Sequence, residues 1–174
     1  MKKLLVISLF AFVVALSACR EKPQTVIPAS DAQMKESLEK ANRVLVNDEE
    51  EDIVNFARRH QWELVSTGTG LRYQIVKTGD GPFIQPGQRV TVEYVLYDIF
   101  GDVVYTSDEE GLMQFAVGQG GAVAGIDEVM RLLHKGDRAR VIVPSHLGYG
   151  LLGDQKSVPS RATLIYTLNV IEVQ

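Results

Sequence analysis

The chain has 174 residues, of which 45% are hydrophobic and 23% charged, and its formal net charge is -4. This composition is too apolar for a disordered chain and too polar for a multi-span membrane protein, and the negative charge argues against nucleic-acid binding. The single cysteine, Cys19, excludes an intramolecular disulfide and a cysteine-based zinc cluster. We therefore expect one globular core with room for an appendage.

The first 18 residues have the pattern of a secretory signal. Two lysines precede an apolar run from Leu4 to Leu16, which is shorter than the roughly 20 residues that a membrane-spanning helix needs. The sequence Leu16-Ser17-Ala18-Cys19 resembles the bacterial lipobox, in which the cysteine receives a diacylglycerol before cleavage. This predicts a signal peptide over 1–18 and a lipid anchor at Cys19; a plain signal peptide with an incidental cysteine is the alternative. Such an anchor places the protein in a bacterial cell envelope, and Arg20 favours the periplasm-facing outer membrane.

The sequence of residues 19–67 predicts a tether followed by a helical extension. Residues 19–29 carry two prolines among polar residues, as is typical of an extended linker. Ser30 and Gln33 match a capping box that begins a first helix, and Asn47-Asp48-Glu49-Glu50 matches a cap that begins a second. We interpret the acidic run 48–52 as a solvated helix start rather than an interaction patch.

The composition changes near residue 68 and predicts a separate domain over 68–174. All fifteen glycines lie at Gly68 or later, and all six tyrosines lie at Tyr73 or later. Alternating apolar residues give six strand signals, and the spacing of Ile126, Val129, Met130 and Leu133 predicts one short helix that ends at Gly136. We expect an α+β fold, with an antiparallel sheet of about five to six strands wrapped over one short helix.

Motifs for cofactor, metal or nucleophilic chemistry are absent from the sequence. The glycines at 118, 120 and 121 are followed by no third dinucleotide-fold glycine and no Gly-Lys-Ser/Thr. The three histidines lack metal-ligand spacing, and Ser145 stands in no nucleophile elbow. We expect no cofactor and no metal.

Seven short motifs follow one another in the second half of the chain. They are Val92-Glu93-Tyr94, Val104-Tyr105-Thr106-Ser107, Phe115-Ala116-Val117-Gly118, Val123-Ala124-Gly125-Ile126-Asp127-Glu128, Gly136-Asp137-Arg138-Ala139, Leu147-Gly148-Tyr149-Gly150 and Val158-Pro159-Ser160-Arg161-Ala162-Thr163-Leu164. Each motif alone is weak, but together and in this order they resemble FKBP-type peptidyl-prolyl cis-trans isomerases over Leu71–Gln174. The helical extension, more loosely, looks like the gliding-motility-associated lipoprotein branch of that family.

The resemblance implies a hydrophobic pocket that holds the proline of a polypeptide substrate. The backbone N–H of Val123 and the hydroxyl of Tyr149 would bind the two substrate carbonyls that flank the proline, and Thr106 and Val158 would also contact the substrate. The pocket itself would have Tyr94, Tyr105, Phe115 and Tyr166 as walls, Ile126 as floor, and Val123 and Val158 at the side.

The chain departs from the family pattern at two of these positions. Thr106 stands where the family commonly has an aspartate, and Ile126 stands where its best-known members have a tryptophan. Both differences bear on catalytic strength and on affinity for macrolide inhibitors more than on the fold, because an aliphatic floor still makes a dry pocket.

Elementary chemistry agrees with such a pocket. Rotation about a peptide bond costs about 18–20 kcal/mol because planarity carries resonance, and the planar imide is more polar than the twisted one. A dry aromatic pocket with a few fixed donors therefore favours the twisted transition state without a nucleophile or a metal. We expect an isomerase that acts on exported proteins. A non-catalytic chaperone that uses the same groove and a purely structural lipoprotein are the alternatives.

The oligomeric state is open at the level of sequence. Two short helices separated by an acidic cap make a poor continuous coiled coil, so a spacer and a monomer are slightly favoured over a dimer formed through the extension.

Overall fold

A computed structural model describes residues 30–174 of the chain. The signal peptide 1–18, the lipid anchor at Cys19 and the tether 19–29 lie outside the described residues. Within 30–174, no helix is both long enough and apolar enough to cross a membrane.

One continuous helix, α1 (Asp31–Arg59), opens the described chain. It begins at the expected capping box, in which the Gln33 N–H donates to Ser30 Oγ at 3.3 Å and the Ser30 N–H donates to Gln33 Oε1 at 3.0 Å. The expectation of two helices was wrong, because the chain continues as a helix through Asn47. A weak helix former such as Asn47 lowers helix stability by less than about 0.7 kcal/mol, and the packing of residues further along the helix outweighs this loss.

The strands of the sheet, and two short helices between them, follow α1. They are β1 (Val65–Ser66), β2 (Arg72–Lys77), β3 (Arg89–Tyr97), β4 (Val103–Thr106), α2 (Ser107–Glu110), β5 (Met113–Ala116), α3 (Ala124–Met130), β6 (Arg138–Val143), a 3₁₀ turn (Ser145–Leu147) and β7 (Leu164–Val173). The six expected strand signals correspond to β2–β7, and the α+β architecture is confirmed. The two-residue strand β1 escapes sequence analysis because it is too short to show a period.

All pairings in the sheet are antiparallel, in the order β1-β2-β6-β7-β3-β4, with β5 also paired to β3. Strand β3 therefore has β7 along one edge and both β4 and β5 along the other. The connection from β4 to β5, which contains α2, leaves this edge next to Tyr94, whose backbone N–H donates to Ser107 Oγ at 3.2 Å.

The short helix α3 packs on the sheet and closes the main core. Ile126, Val129 and Met130 are fully buried on its inner face. A Cβ at Gly125 would lie 2.5 Å from Val143 Cγ1, so glycine is required for this close approach of helix and strand. The helix ends at Met130 and not at Gly136 as predicted. The N–H groups of residues 131–133 donate to the carbonyls three residues earlier, as in a 3₁₀ helix, and Leu133 is still buried.

A second, smaller core lies between α1 and the other side of the sheet. Ile53 and Phe56 of α1 are 1% and 3% exposed and pack with Ile142 of β6 and Ile165 of β7. The compact unit that contains the sheet begins at Ala41, so it includes the second half of α1. The helix is thus part of the folded unit from that residue onward.

Candidate active site

Three tyrosines converge on a cleft of about 260 Å³. Tyr94 comes from β3, Tyr105 from β4, and Tyr149 from the connection between the 3₁₀ turn and β7. Tyr149 is 37% exposed, so its side chain is accessible from solvent. The complete lining of the cleft is Tyr94, Tyr105, Glu110, Tyr149, Asp154 and Lys156. Three of the expected site residues therefore share one cavity with three charged residues that were not expected.

The remaining apolar site residues lie in the main core, against which Tyr94 and Tyr105 pack. The ring centroids of Tyr94 and Tyr166 are 6.2 Å apart, and the rings are tilted by 54°. Val123 is half-buried and packs against the same core. The fully or nearly fully buried members are Phe115, Ile126, Val158 and Tyr166. Three of the predicted site residues thus line the cleft, while the buried ones belong to the core against which Tyr94 and Tyr105 pack.

Asp154 organises the loop that forms one side of the cleft. Its Oδ2 accepts a hydrogen bond from the Tyr105 hydroxyl at 2.5 Å. Its Oδ1 accepts from the backbone N–H groups of Lys156 at 2.9 Å and Val158 at 2.8 Å. Just before it, Gly153 has φ +66°, and a Cβ there would lie 2.2 Å from the Val158 carbonyl oxygen. Glycine and aspartate together fold this loop back onto β4.

The electrostatics of the cleft keep Tyr94 and Tyr149 protonated and Asp154 ionised at neutral pH. Burial raises the pKa of Tyr94 and Tyr149, and the charges of Glu110 and Asp154, respectively, raise them further. Burial also strongly raises the pKa of Tyr166. Burial by itself would raise the pKa of Asp154, but hydrogen bonds from the Tyr105 hydroxyl and the loop backbone bring that pKa below its usual value. The Tyr149 hydroxyl is therefore available as a donor across the neutral range.

Backbone donors are also available beside the cleft residues, at the start of α3. Val123 is the N-cap and makes no side-chain capping bond, and its carbonyl accepts from the N–H groups of Ile126 and Asp127. The first N–H groups of any helix lack intrahelical acceptors, and the Val123 N–H belongs to this set. Asp127 fixes the preceding turn, because its Oδ1 accepts from the Gly118 N–H at 2.6 Å.

Two other cavities are lined differently. One, of about 310 Å³, lies over the strands and is lined by residues such as Glu93, Arg138 and Asn169; the other, of about 330 Å³, lies beside α1. Convergent polar groups with shifted pKa values mark the tyrosine-lined cleft as the candidate site. Within residues 30–174, no three His, Cys, Asp or Glu side chains cluster in a way that could hold a metal ion.

Comparison with known proteins identifies this arrangement. A family profile described as FKBP-type peptidyl-prolyl cis-trans isomerase matches residues 81–171, which is more than half of the chain. The chain belongs to this family.

Relatives and solved structures agree with the assignment. The chain is 31% identical over 112 residues to a probable FKBP-type peptidyl-prolyl cis-trans isomerase of Haemophilus influenzae, a match that covers 64% of this chain and 46% of the relative. It is 31% identical to FK506-binding protein 1 of Debaryomyces hansenii, covering 63% of this chain and 99% of that protein. The crystal structure of FkpA from Escherichia coli has the same fold, with a TM-score of 0.61 and 21% identity over 84% of this chain and 74% of that one. The chain thus spans less than half the length of some relatives and almost the whole length of others.

The two departures from the FKBP pattern have visible structural consequences. Thr106 is the N-cap of α2, and its Oγ1 accepts a hydrogen bond from the Glu109 N–H at 3.3 Å. The neighbouring Tyr105 hydroxyl donates to a carboxylate from elsewhere in the chain, that of Asp154, 49 residues further on. Ile126 is fully buried in the main core, so the floor position is apolar and shielded from water.

Proposed function

We propose that this FKBP-family protein is a peptidyl-prolyl cis-trans isomerase that binds proline at the tyrosine-lined cleft. The observation that carries the proposal is the placement of Tyr149, whose accessible hydroxyl stands beside Tyr94 and Tyr105. The two rings pack on the main core and give an apolar surface, while the hydroxyl of Tyr149 gives a donor. An apolar surface next to fixed donors is the combination that X–Pro rotation requires.

The proposed mechanism uses binding alone. The pyrrolidine ring enters the tyrosine-lined cleft beside Tyr94 and Tyr105, whose rings pack against the buried core that contains Phe115, Ile126 and Tyr166, and it displaces water there. Exclusion of water disfavours the polar planar imide relative to the twisted one. The hydroxyl of Tyr149 and the N–H of Val123 donate to the carbonyls on either side of the proline and select the twisted geometry. Because no proton is transferred, we expect the rate to be nearly independent of pH in the neutral range.

A proline-limited refolding reaction tests the proposal. The full chain is expected to accelerate it, and Tyr149→Phe should lower the rate constant about fivefold, since one hydrogen bond is worth about 1 kcal/mol and 1.4 kcal/mol corresponds to a factor of ten. Tyr166→Ala combined with Tyr149→Phe should lower it further. Tyr97→Phe is the matched control, because Tyr97 packs in the smaller core with α1. A wild-type rate equal to that of buffer alone would refute catalysis.

A non-catalytic chaperone is the second candidate. Thr106 and Ile126 favour it, since the family's aspartate and tryptophan are both missing from their positions. This function predicts suppression of aggregation of an unfolded substrate to the same extent whether or not the substrate contains proline. The same refolding series, with a proline-free variant of the substrate, separates the two functions.

We further propose that the clients are exported polypeptides in a bacterial envelope. The support is the sequence pattern of residues 1–19, which predicts export and lipidation at Cys19. Two or more acyl chains on one residue give stable anchoring, whereas one chain alone binds a membrane only marginally. The looser resemblance to the gliding-motility branch adds no client to this proposal.

A further inference from the structure

Glu49 of α1 accepts hydrogen bonds from both ends of the segment that carries Tyr149. Its Oε1 accepts from the Ser145 N–H at 2.6 Å and from the Thr163 hydroxyl at 2.8 Å, and its Oε2 accepts from the Ser145 hydroxyl at 3.0 Å. Ser145 is the second residue after β6 and the first of the 3₁₀ turn, and Thr163 directly precedes β7. One carboxylate therefore ties the beginning of the segment to its end.

The bonds of Glu49 continue through the backbone to Tyr149. The Ser145 carbonyl accepts from the N–H groups of Gly148 at 3.1 Å and Gly150 at 2.9 Å, which are the two neighbours of Tyr149. The Gly150 carbonyl in turn accepts from the Arg161 N–H at 2.7 Å, two residues before Thr163. Hydrogen bonds connect Glu49 to Ser145, Gly150 and Arg161, and the backbone from Arg161 to Thr163 closes the circuit at the Thr163–Glu49 bond.

The position of Glu49 is itself fixed by packing. Ile53 lies one helical turn further along the same face of α1 and is buried with Phe56 against Ile142 and Ile165. Those two isoleucines belong to β6 and β7, the strands that enter and leave the Tyr149 segment. The carboxylate is thereby held over the base of the segment by an apolar contact on the same two strands.

We propose that Glu49 is a positioning residue, which sets the place of the Tyr149 hydroxyl in the cleft through this circuit. The proposal rests on the isomerase function proposed above. Ser145 and Thr163 are only 6% and 7% exposed, so loss of the carboxylate leaves their donors buried without that acceptor. The segment then lowers its free energy by rearranging so that these donors reach other acceptors. Displacement of a catalytic group by about 1 Å can lower the rate by up to about a hundredfold. A helix outside the region matched by the family profile thus becomes part of the active-site framework.

Three variants of the full chain test this role. Glu49→Ala removes all three acceptor contacts, Glu49→Gln keeps one acceptor oxygen, and Glu51→Ala removes an exposed carboxylate two residues away. Ile84→Val, at a fully buried position in the main core, serves as a control for general destabilisation. The measurements are amide hydrogen exchange at Gly150 and Arg161, kcat and KM for a proline-containing peptide, and the thermal midpoint.

In Glu49→Ala we expect faster exchange at both amides and a kcat/KM lowered about tenfold, mainly through kcat. Glu49→Gln should recover part of both effects, and Glu51→Ala should match wild type. The proposal would be overturned by unchanged exchange in Glu49→Ala, or by faster exchange with unchanged kcat/KM. It would also be overturned if Ile84→Val, at an equal thermal midpoint, lost as much kcat/KM. Absence of isomerase activity in the wild type would refute the proposed function. Amide exchange in Glu49→Ala would then still show whether Glu49 holds the Tyr149 segment in place.

Discussion

At the rim of the tyrosine-lined cleft, the Tyr105 hydroxyl and the Asp154 carboxylate form a short hydrogen bond that joins β4 to the loop after Tyr149. The same carboxylate accepts two backbone N–H groups of its own loop. These three donors favour the ionised form, which is why the pKa of Asp154 lies below its usual value in spite of partial burial. Asp154 therefore stabilises the loop only while it carries its charge.

The Asp154→Asn variant tests this charge dependence. Because the folded-state pKa lies below the ordinary value of 3.8, ionised Asp154 contributes stability at every pH above that value. The contribution is lost as the pH falls through the folded-state pKa. We expect Asp154→Asn to have the lower thermal midpoint at pH 7, with the two midpoints converging below about pH 4. Thermal unfolding between pH 7 and pH 2.5 measures the difference, and a constant gap at all pH values would contradict the assignment.

Sequence analysis named the three tyrosines that line the cleft but not Asp154. Tyr94, Tyr105 and Tyr149 stand in motifs whose order follows the family, so their convergence on one cleft could be predicted. Asp154 contacts Tyr105 across 49 residues, and nothing in the neighbourhood of Tyr105 indicates that contact. Its local signal was Gly153-Asp154 at a turn, where an aspartate commonly accepts N–H groups two or more residues on. That signal predicts a turn and does not identify its partner.

At the scale of elements, the helix α1 shows why local signals failed in the extension. Asn47 to Glu50 is a sound N-terminal cap in isolation. In the folded chain Glu49 accepts from Ser145 and Thr163, and Glu50 pairs with Arg72, so these acids contact the domain instead of capping a new helix. Tertiary partners this far away in sequence cannot be read from a window of a few residues.

The packing of α1 on β6 and β7 predicts that substitutions at neighbouring positions of α1 differ clearly in their effect on stability. Phe56 is 3% exposed, stacks on His60 and contacts Trp62 edge-to-face, whereas Val54 is 47% exposed. We expect Phe56→Ala to lower the free energy of unfolding by about 3 kcal/mol or more. Val54→Ala should change it by no more than about 0.5 kcal/mol.

Urea denaturation of the full chain measures both values. Equal effects of the two substitutions would show that α1 does not bury its inner face on the sheet. The same contact predicts that a fragment beginning at Leu71 is much less stable than the full chain, because it uncovers Ile142 and Ile165 and removes β1.

At the scale of the whole molecule, the sequence predicts an anchored protein with its folded unit held away from the lipid. The anchor and the tether lie in residues 1–29, outside the described residues, and stay predictions. Cys19→Ser should transfer the protein from the membrane fraction to the soluble fraction without changing its isomerase rate, because the substitution is far in sequence from the cleft residues. Retention of Cys19→Ser in the membrane fraction would contradict lipidation at this cysteine.

The order of the strands could not be predicted from the sequence, although their number nearly could. Alternation identifies a strand but carries no information on its neighbour. Strand β3 pairs with β4, β5 and β7, and its register with β7 shifts between Thr91 and Val92. The order and register of the strands depend on the packing of α3 and α1 on opposite sides of the sheet. That packing consists of contacts between residues far apart in the chain.

The two-residue strand β1 has a consequence for solubility. It pairs with β2 only at Arg72 and Tyr73, so within the described part of the chain the remainder of β2 has a strand partner on one side only. Exposed backbone of this kind can template the addition of a strand from another molecule. Here the register shift between Ile75 and Lys77 bends the edge, and the lysine adds a charge that a docking strand would have to desolvate. Neighbouring copies of the protein are thereby kept from joining sheet to sheet.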